Sequence, residues 1–235
     1  MIDAQDAIRE AQQCADTVGV STIAQQLLRS EAIASSQIEG IDVPSHRALA
    51  KAATGNQHKK NARLVLSNIE AVRWVYSWAA HRDEPFSTDV ICQIHMKLAQ
   101  ADRHLSRHAG QIRTRQNWIG RDPYTPVGAD FIPPPAREVE PLLADLCRYA
   151  NRADVAPIAQ AAAVHAQFET IHPFADGNGR VGRSLIGALL VRRQVCRDVI
   201  PPISLVLARD RTAYVDALTA WRLRSTGSGS GSPGS

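Results

Sequence analysis

Along most of this 235-residue chain, apolar positions recur every three or four residues, the period at which side chains share one face of an α-helix. The spacing predicts helices over residues 3–15 and 20–35, the second carrying Ile23, Leu27 and Leu28 behind Ser21 or Thr22 as cap, with Gly40 as its stop. A short helix is expected over 44–53, after Pro44. Longer ones are expected over 60–80 (Leu64, Ile69, Val72, Trp74, Val75) and 87–99 (Val90, Ile91, Ile94, Leu98). Helical spacing then returns over 137–151, 155–170, 180–193 (Val181, Leu185, Ala188, Leu189) and 208–223 (Tyr214, Leu218, Trp221).

The interruption at residues 110–135 is of a different kind. Gly120, Pro123, Pro126 and Gly128 precede Pro133-Pro134-Pro135, and Ile112, Trp118, Ile119 and Phe131 suit brief extended segments, so this stretch reads as a β-hairpin or extended flap. The fold class expected is therefore all-α, predominantly, with one small hairpin. From Ser225 onward Gly and Ser leave nothing to anchor the chain, and residues 225–235 are expected to form a disordered tail.

Composition narrows the function classes. An apolar fraction of 44% without any apolar run of about 18 residues argues against a membrane span, and the polar first 30 residues lack a signal peptide's apolar centre, so a cytosolic protein is expected. Cys14, Cys92, Cys147 and Cys196 form no CxxC pair and are expected to be ordinary thiols. A formal charge of +4, with a local basic run at His58-Lys59-Lys60, suits a nucleotide better than DNA.

Candidate chemistry concentrates in His172-Pro173-Phe174-Ala175-Asp176-Gly177-Asn178-Gly179-Arg180, between two predicted helices. Gly177 and Gly179 allow close approach of a ligand, and the terminus of the following helix favours an anion, phosphate above all. Arg180 and Arg183, three apart, share a face and can clamp phosphate oxygens; at a helix's positive end they are otherwise unfavourable. Asp176 is a hard oxygen ligand suited to magnesium, and His172 has the pKa range of a general base. Gly177, Gly179 and Gly182 also spell GxGxxG, with Asp198 beyond, but a helix and a His-Pro pair precede them rather than a buried strand. A transition-metal triad of His165, His172 and Asp176 lacks ligand spacing, and His165 is expected to be a packed or hydrogen-bonded histidine.

The run from His172 to Arg183 resembles the signature of Fic-domain proteins, HPFx(D/E)GNGRxxR, with every defining position filled. The residues before it and the flap stretches Gln116-Asn117-Trp118-Ile119-Gly120 and Phe131-Ile132-Pro133-Pro134-Pro135 are also similar to this family, so the likeness spans most of residues 30–223. It implies a Fic fold and the transfer of AMP from ATP to a Ser, Thr or Tyr hydroxyl of a target protein, or of the chain itself, with release of pyrophosphate. It implies His172 as base and Asp176 as ligand of Mg2+, or Mn2+ in its place. It also implies that Asn178 with the Gly177 and Gly179 backbone forms the anion hole, that Arg180 and Arg183 engage the outer phosphates and that Phe174 anchors the loop, with the target lying along the flap at Gln116 to Gly120 and Phe131 to Ile132. The intact Gly179 separates the chain from a kinase-like branch of the family.

Ser35-Ser36-Gln37-Ile38-Glu39-Gly40 resembles the family's inhibitory motif (S/T)xxxE(G/N), in which Ser35, Glu39 and Gly40 are the defining positions. The resemblance implies that Glu39 withholds Arg183 from ATP; removal of AMP from a modified target, or transfer of another nucleotide, stays open. The organisation expected is an N-terminal helical region over 1–85 containing the motif at 35–40, and a catalytic core over 86–224 with its flap at 110–135, C-terminally shortened. Family precedent allows a homodimer. A non-catalytic nucleotide-binding module and a DNA-binding role are the competing classes, opposed respectively by the filled motif and the small charge.

Overall fold

The computed structural model describes residues 4, 6–8, 10, 20–42, 59–81, 83–100, 105–120, 122, 124–197 and 199–227. The described helices are α1 (Val20–Ile38), α2 (Lys59–His81), α3 (Thr88–Ala99), α4 (Ala136–Ala150), α5 (Pro157–Ile171), α6 (Asn178–Arg192), α7 (Ile203–Arg209) and α8 (Arg211–Gly227), with one 3₁₀ turn at Ser106–His108. Residues 4, 6–8 and 10 are helical; the rest of the expected helix 3–15, all of 44–53, Cys14, His58, Asp198 and residues 228–235 lie outside the described residues.

The antiparallel pair α5 and α6 forms the centre, with α2, α3 and α1 against α6, α4 and α8 against α5, and α1 laid along α7. Burial explains why α6 is central: twelve of its residues, from Asn178 to Val191, are buried, whereas a surface helix keeps an outward polar face. Close approach is made by small residues. Gly187 of α6 lies against the ring and hydroxyl of Tyr76 in α2, and Gly182 lies against Glu169 and Phe168 of α5. Val164, Phe168, Ile171, Phe174, Val181, Leu185 and Leu189 fill the space between, all at most 1% exposed.

The elements start and stop for local reasons. Gly40, at φ +73°, takes the left-handed turn that ends α1, donating its N–H to the Gln37 carbonyl while Ile41 donates to that of Ser36. Ser87 caps α3 by accepting the Val90 N–H at 3.3 Å. Because α1 already begins at Val20, Ser21 and Thr22 fall inside the helix rather than at its cap. The expected hairpin shrinks to a single antiparallel bridge, Ile119 with Phe131, since the prolines around it supply no N–H for a longer ladder. Helix α8 runs through Gly227, past the residue 225 at which the tail was expected to begin. Helix α7 was not anticipated. Cys92, Cys147 and Cys196 are free thiols, as expected. Among the described residues no helix is long and apolar enough to cross a membrane.

Candidate active site

The loop between α5 and α6 is built by two left-handed residues. His172 ends α5 at φ 50°, ψ 60°, and Gly177 opens α6 at φ 79°. Only glycine takes the second without cost, and the strain at His172 is the kind of local expense found where a side chain must be aimed. Between them Phe174 is fully buried, its ring stacked on His95 with centroids 4.0 Å apart and planes 6° apart. Asn178 closes the loop on itself: its Oδ1 accepts the Phe174 N–H and its Nδ2 donates to the Phe174 carbonyl, both at 2.8 Å. The Asn178 side chain is thus spent on the loop, and only its backbone is left to face an anion.

His95 is a member of this site that sequence reasoning missed. Its Nδ1 accepts the Gly110 N–H at 2.9 Å, so the ring proton sits on Nε2, which donates to the Asp176 carbonyl at 3.1 Å. Burial pushes its pKa down to about 4, keeping the ring neutral. The available signal was a histidine on the apolar stripe of α3, between Ile91 and Leu98. Arg113 was missed as well. From the base of the flap it donates to the carbonyls of His172 (2.8 Å), Arg115 (3.2 Å), Pro134 and Ile171 (3.3 Å), and its own N–H reaches the Pro173 carbonyl at 2.9 Å. Asn117 adds a donor to the Phe174 carbonyl at 3.0 Å, and Gln116 one to Pro133 at 2.8 Å.

The rest of the flap points elsewhere. Trp118 donates its Nε1–H to the Asp122 carbonyl within the flap, Gly120 lies against Ala129, and Ile132 is 56% exposed. Phe131 pairs with Ile119 by both backbone bonds, at 2.9 and 3.2 Å.

On the opposite side, α1 delivers Ser35 and Glu39 to Arg183. The buried guanidinium donates to the Ser35 hydroxyl at 3.0 Å, to the Ser35 carbonyl at 2.8 Å and to Glu39 Oε1 at 2.8 Å. The same carboxylate oxygen lies where a Cβ at Gly179 would fall, directly on the first turn of α6. Glu39 follows the negative end of one helix, and Arg183 stands near the positive end of another. Each placement is unfavourable alone, and the pairing offsets both. Burial pushes the Glu39 pKa up, but Arg183, with Arg180 and His172, outweighs it and holds the carboxyl below its usual value. Arg180 and Arg183 are 3% and 2% exposed, a concentration of buried positive charge at one helix terminus.

Two acids lie behind this pair. Glu31, on the same face of α1, accepts the Ser204 N–H at 2.7 Å and the Ser204 hydroxyl, tying α1 to the start of α7. Glu169 is buried beside Gly182, and burial, with Glu39 adding to it against Arg183 and Arg222, pushes its pKa up to about 7. His165 pairs with the Tyr214 hydroxyl at 3.0 Å, as a packed histidine should. The His172 pKa is pushed down to about 4, by burial first and then by the charge of Arg222, with Glu39 acting the other way.

Among the described residues no three His, Cys, Asp or Glu side chains cluster as a metal site. A magnesium ion bound with a nucleotide is held largely by phosphate and water with one or two carboxylates, and would need no such cluster. Asp176 meets the requirement: it is exposed at the mouth of the cradle, with Oδ1 receiving the Gly177 N–H at 2.5 Å. A helix terminus suited to an anion, a neutral histidine beside it and a carboxylate next to it together suit displacement at a phosphorus centre.

The Fic/DOC family matches residues 85–190, and the Fic/DOC family N-terminal region matches residues 1–77. Protein adenylyltransferase fic-1 of Caenorhabditis elegans is 33% identical over 119 residues, covering 50% of this chain and 22% of the relative. A probable protein adenylyltransferase of Aquifex aeolicus is 37% identical over 92 residues, covering 39% of this chain and 26% of the relative. The chain thus spans about a quarter of the length of these relatives. A crystal structure of a Fic family protein from Desulfovibrio desulfuricans superposes with a TM-score of 0.72 at 21% identity, over 94% of this chain and 65% of that one. One from Bacteroides thetaiotaomicron superposes with a TM-score of 0.65 at 20% identity, over 81% and 70%. With both family regions matched in order along the sequence and the fold shared, the chain belongs to the Fic/DOC family.

Proposed function

We propose that this chain transfers AMP from ATP to a hydroxyl side chain of a protein bound along the flap, releasing pyrophosphate. The observation that carries the reading is the start of α6, opened by a left-handed Gly177 and carrying two buried arginines, next to a neutral His172 at the end of α5. The adenylyltransferase names of the relatives support the same reaction class.

The target oxygen attacks the α-phosphorus, the bond from that phosphorus to the bridging oxygen of the β-phosphate breaks, and the hydroxyl proton passes to His172. A histidine whose pKa is held near 4 is already unprotonated at neutral pH and can accept it. Backbone N–H groups at the start of α6 stabilise the charge on phosphate, and Arg180 and Arg183 neutralise the leaving pyrophosphate. Asp176 would hold magnesium, which neutralises phosphate charge when bound. Most of the rate advantage is alignment, which explains how much of the sequence is spent on fixing one loop.

Glu39 restrains this activity. Its carboxylate sits on Gly179 and pairs with Arg183, the place and the partner a phosphate oxygen needs. ATP and Glu39 therefore compete for one cradle, and a glycine at position 39 opens it. With labelled ATP and magnesium, Glu39→Gly should raise transfer, including onto the chain itself, about tenfold or more, and His172→Ala should abolish it. Equal labelling by wild type and Glu39→Gly would remove the restraint; label transferred by His172→Ala would remove the base.

A further inference from the structure

Helix α8 lies outside the residues matched by the family regions, yet it reaches the site. Arg222 places its guanidinium 4.0 Å from the ring centroid of Phe131, within cation–π range, and donates to the Glu169 carbonyl at 3.2 Å. Phe131 makes a backbone bridge with Ile119, the one found in the flap among the described residues, and Glu169 lies one turn before His172. The neighbouring Trp221 approaches Gln167 Oε1 with its indole N–H at 3.4 Å, so two successive α8 residues attach to the last turns of α5.

We propose that Arg222 is a positioning residue: stacked on Phe131 and bonded to the last turn of α5, it fixes the bridged strands of the flap relative to His172. The proposal rests on the reading of the flap as the place where the acceptor protein docks. Its logic is geometric. A target segment paired with the flap inherits the flap's position, and a hydroxyl must stand within hydrogen-bond reach of His172 as it attacks. Arg113 and Asn117 fix the root of the flap to the motif loop, but their bonds end at Arg115, Pro134, His172 and Phe174, short of the bridge. Arg222 is the contact that reaches the bridge itself. Its charge also faces His172, together with Arg113 from the flap root and Glu39 from α1, so removing it acts on the base as well as on the flap.

Hydrogen exchange of the full chain, followed by mass spectrometry over residues 116–132, tests this without relying on turnover. Arg222→Ala and Phe131→Leu should each speed exchange of the Ile119 and Phe131 amides about tenfold. The double variant should exchange no faster than the faster single one, and Arg222→Lys, which keeps a cation on the ring, should stay close to wild type. Exchange within α6 should not change. Unaltered flap exchange in Arg222→Ala, additive effects in the double variant, or general acceleration through α6 would each overturn the assignment. In a Glu39→Gly background, Arg222→Ala should lower self-labelling several-fold at saturating ATP while leaving ATP affinity unchanged; a loss of ATP affinity would also overturn it. If Glu39→Gly itself transfers no AMP, the proposed activity fails while the exchange result still decides the role of Arg222.

Discussion

His165 and Glu169, one turn apart on α5, show how burial, the largest cause for both, makes a pH response at single residues. His165 titrates near 6.5 when unfolded but near 4 in the fold, because burial penalises the imidazolium. Between those values the unfolded chain binds more protons, so this contribution to stability is complete above pH 6.5 and declines as the pH falls towards 4. Glu169 acts in the opposite sense: its folded pKa of about 7 stands above the ordinary 4.5, so its contribution is complete below pH 4.5 and lost as the pH rises through 7. His165→Gln, which can still meet the Tyr214 hydroxyl but cannot take a charge, should flatten the fall in denaturant midpoint between pH 6.5 and 4. An unchanged slope would refute the assignment. At this scale the sequence was most legible where the chemistry is contiguous, from His172 to Arg183, because spacing alone places those side chains around one helix start. His95, Arg113 and Arg222 were not legible. They act through carbonyls and a ring that only the folded chain brings near; the one local mark is the place of His95 on the apolar stripe of α3, which does not say what it touches.

At the scale of elements, the centre of the molecule depends on how closely α2 and α6 approach at Gly187. Alanine is the better helix former by about 1 kcal/mol, but a Cβ here would fall on the Tyr76 hydroxyl and ring. Tyr76 is only 6% exposed and has no open side to move into, so overlap costing up to about 3 kcal/mol outweighs the propensity gain. Gly187→Ala should therefore lower the melting temperature by about 4–8 °C, with Tyr76→Leu in the same chain recovering part of the loss. A melting temperature at or above that of wild type would show that the contact can yield. Periodicity located α2 through α6 because each carries a sustained apolar stripe. It failed at α7, a seven-residue helix behind Pro201 and Pro202, too short to establish a period. It overstated the flap, where proline removes the donors that a hairpin ladder requires.

At the scale of the whole molecule, α1 and the flap are both attachments to the α5–α6 loop, one through side-chain charge and the other through backbone carbonyls. Glu31 and Ser35 stand on one face of α1 with Glu39 just past its end, so one helix carries both the contact at Ser204 and the contact at Arg183. The flap is attached more permanently. The Arg113 guanidinium reaches four carbonyls, two of them beyond the flap at Ile171 and His172, while Tyr124 at the far end is 91% exposed. The chain can therefore be severed at Tyr124 by chymotrypsin and still behave as one particle. One fragment would carry α1–α3 with Arg113, the other α4–α8 with the motif loop, and the pieces should elute together in gel filtration under native conditions. Separate elution would mean that the connecting peptide, and not the Arg113 bonds together with the packing of α1–α3 on α6 and α7, keeps the two halves in register.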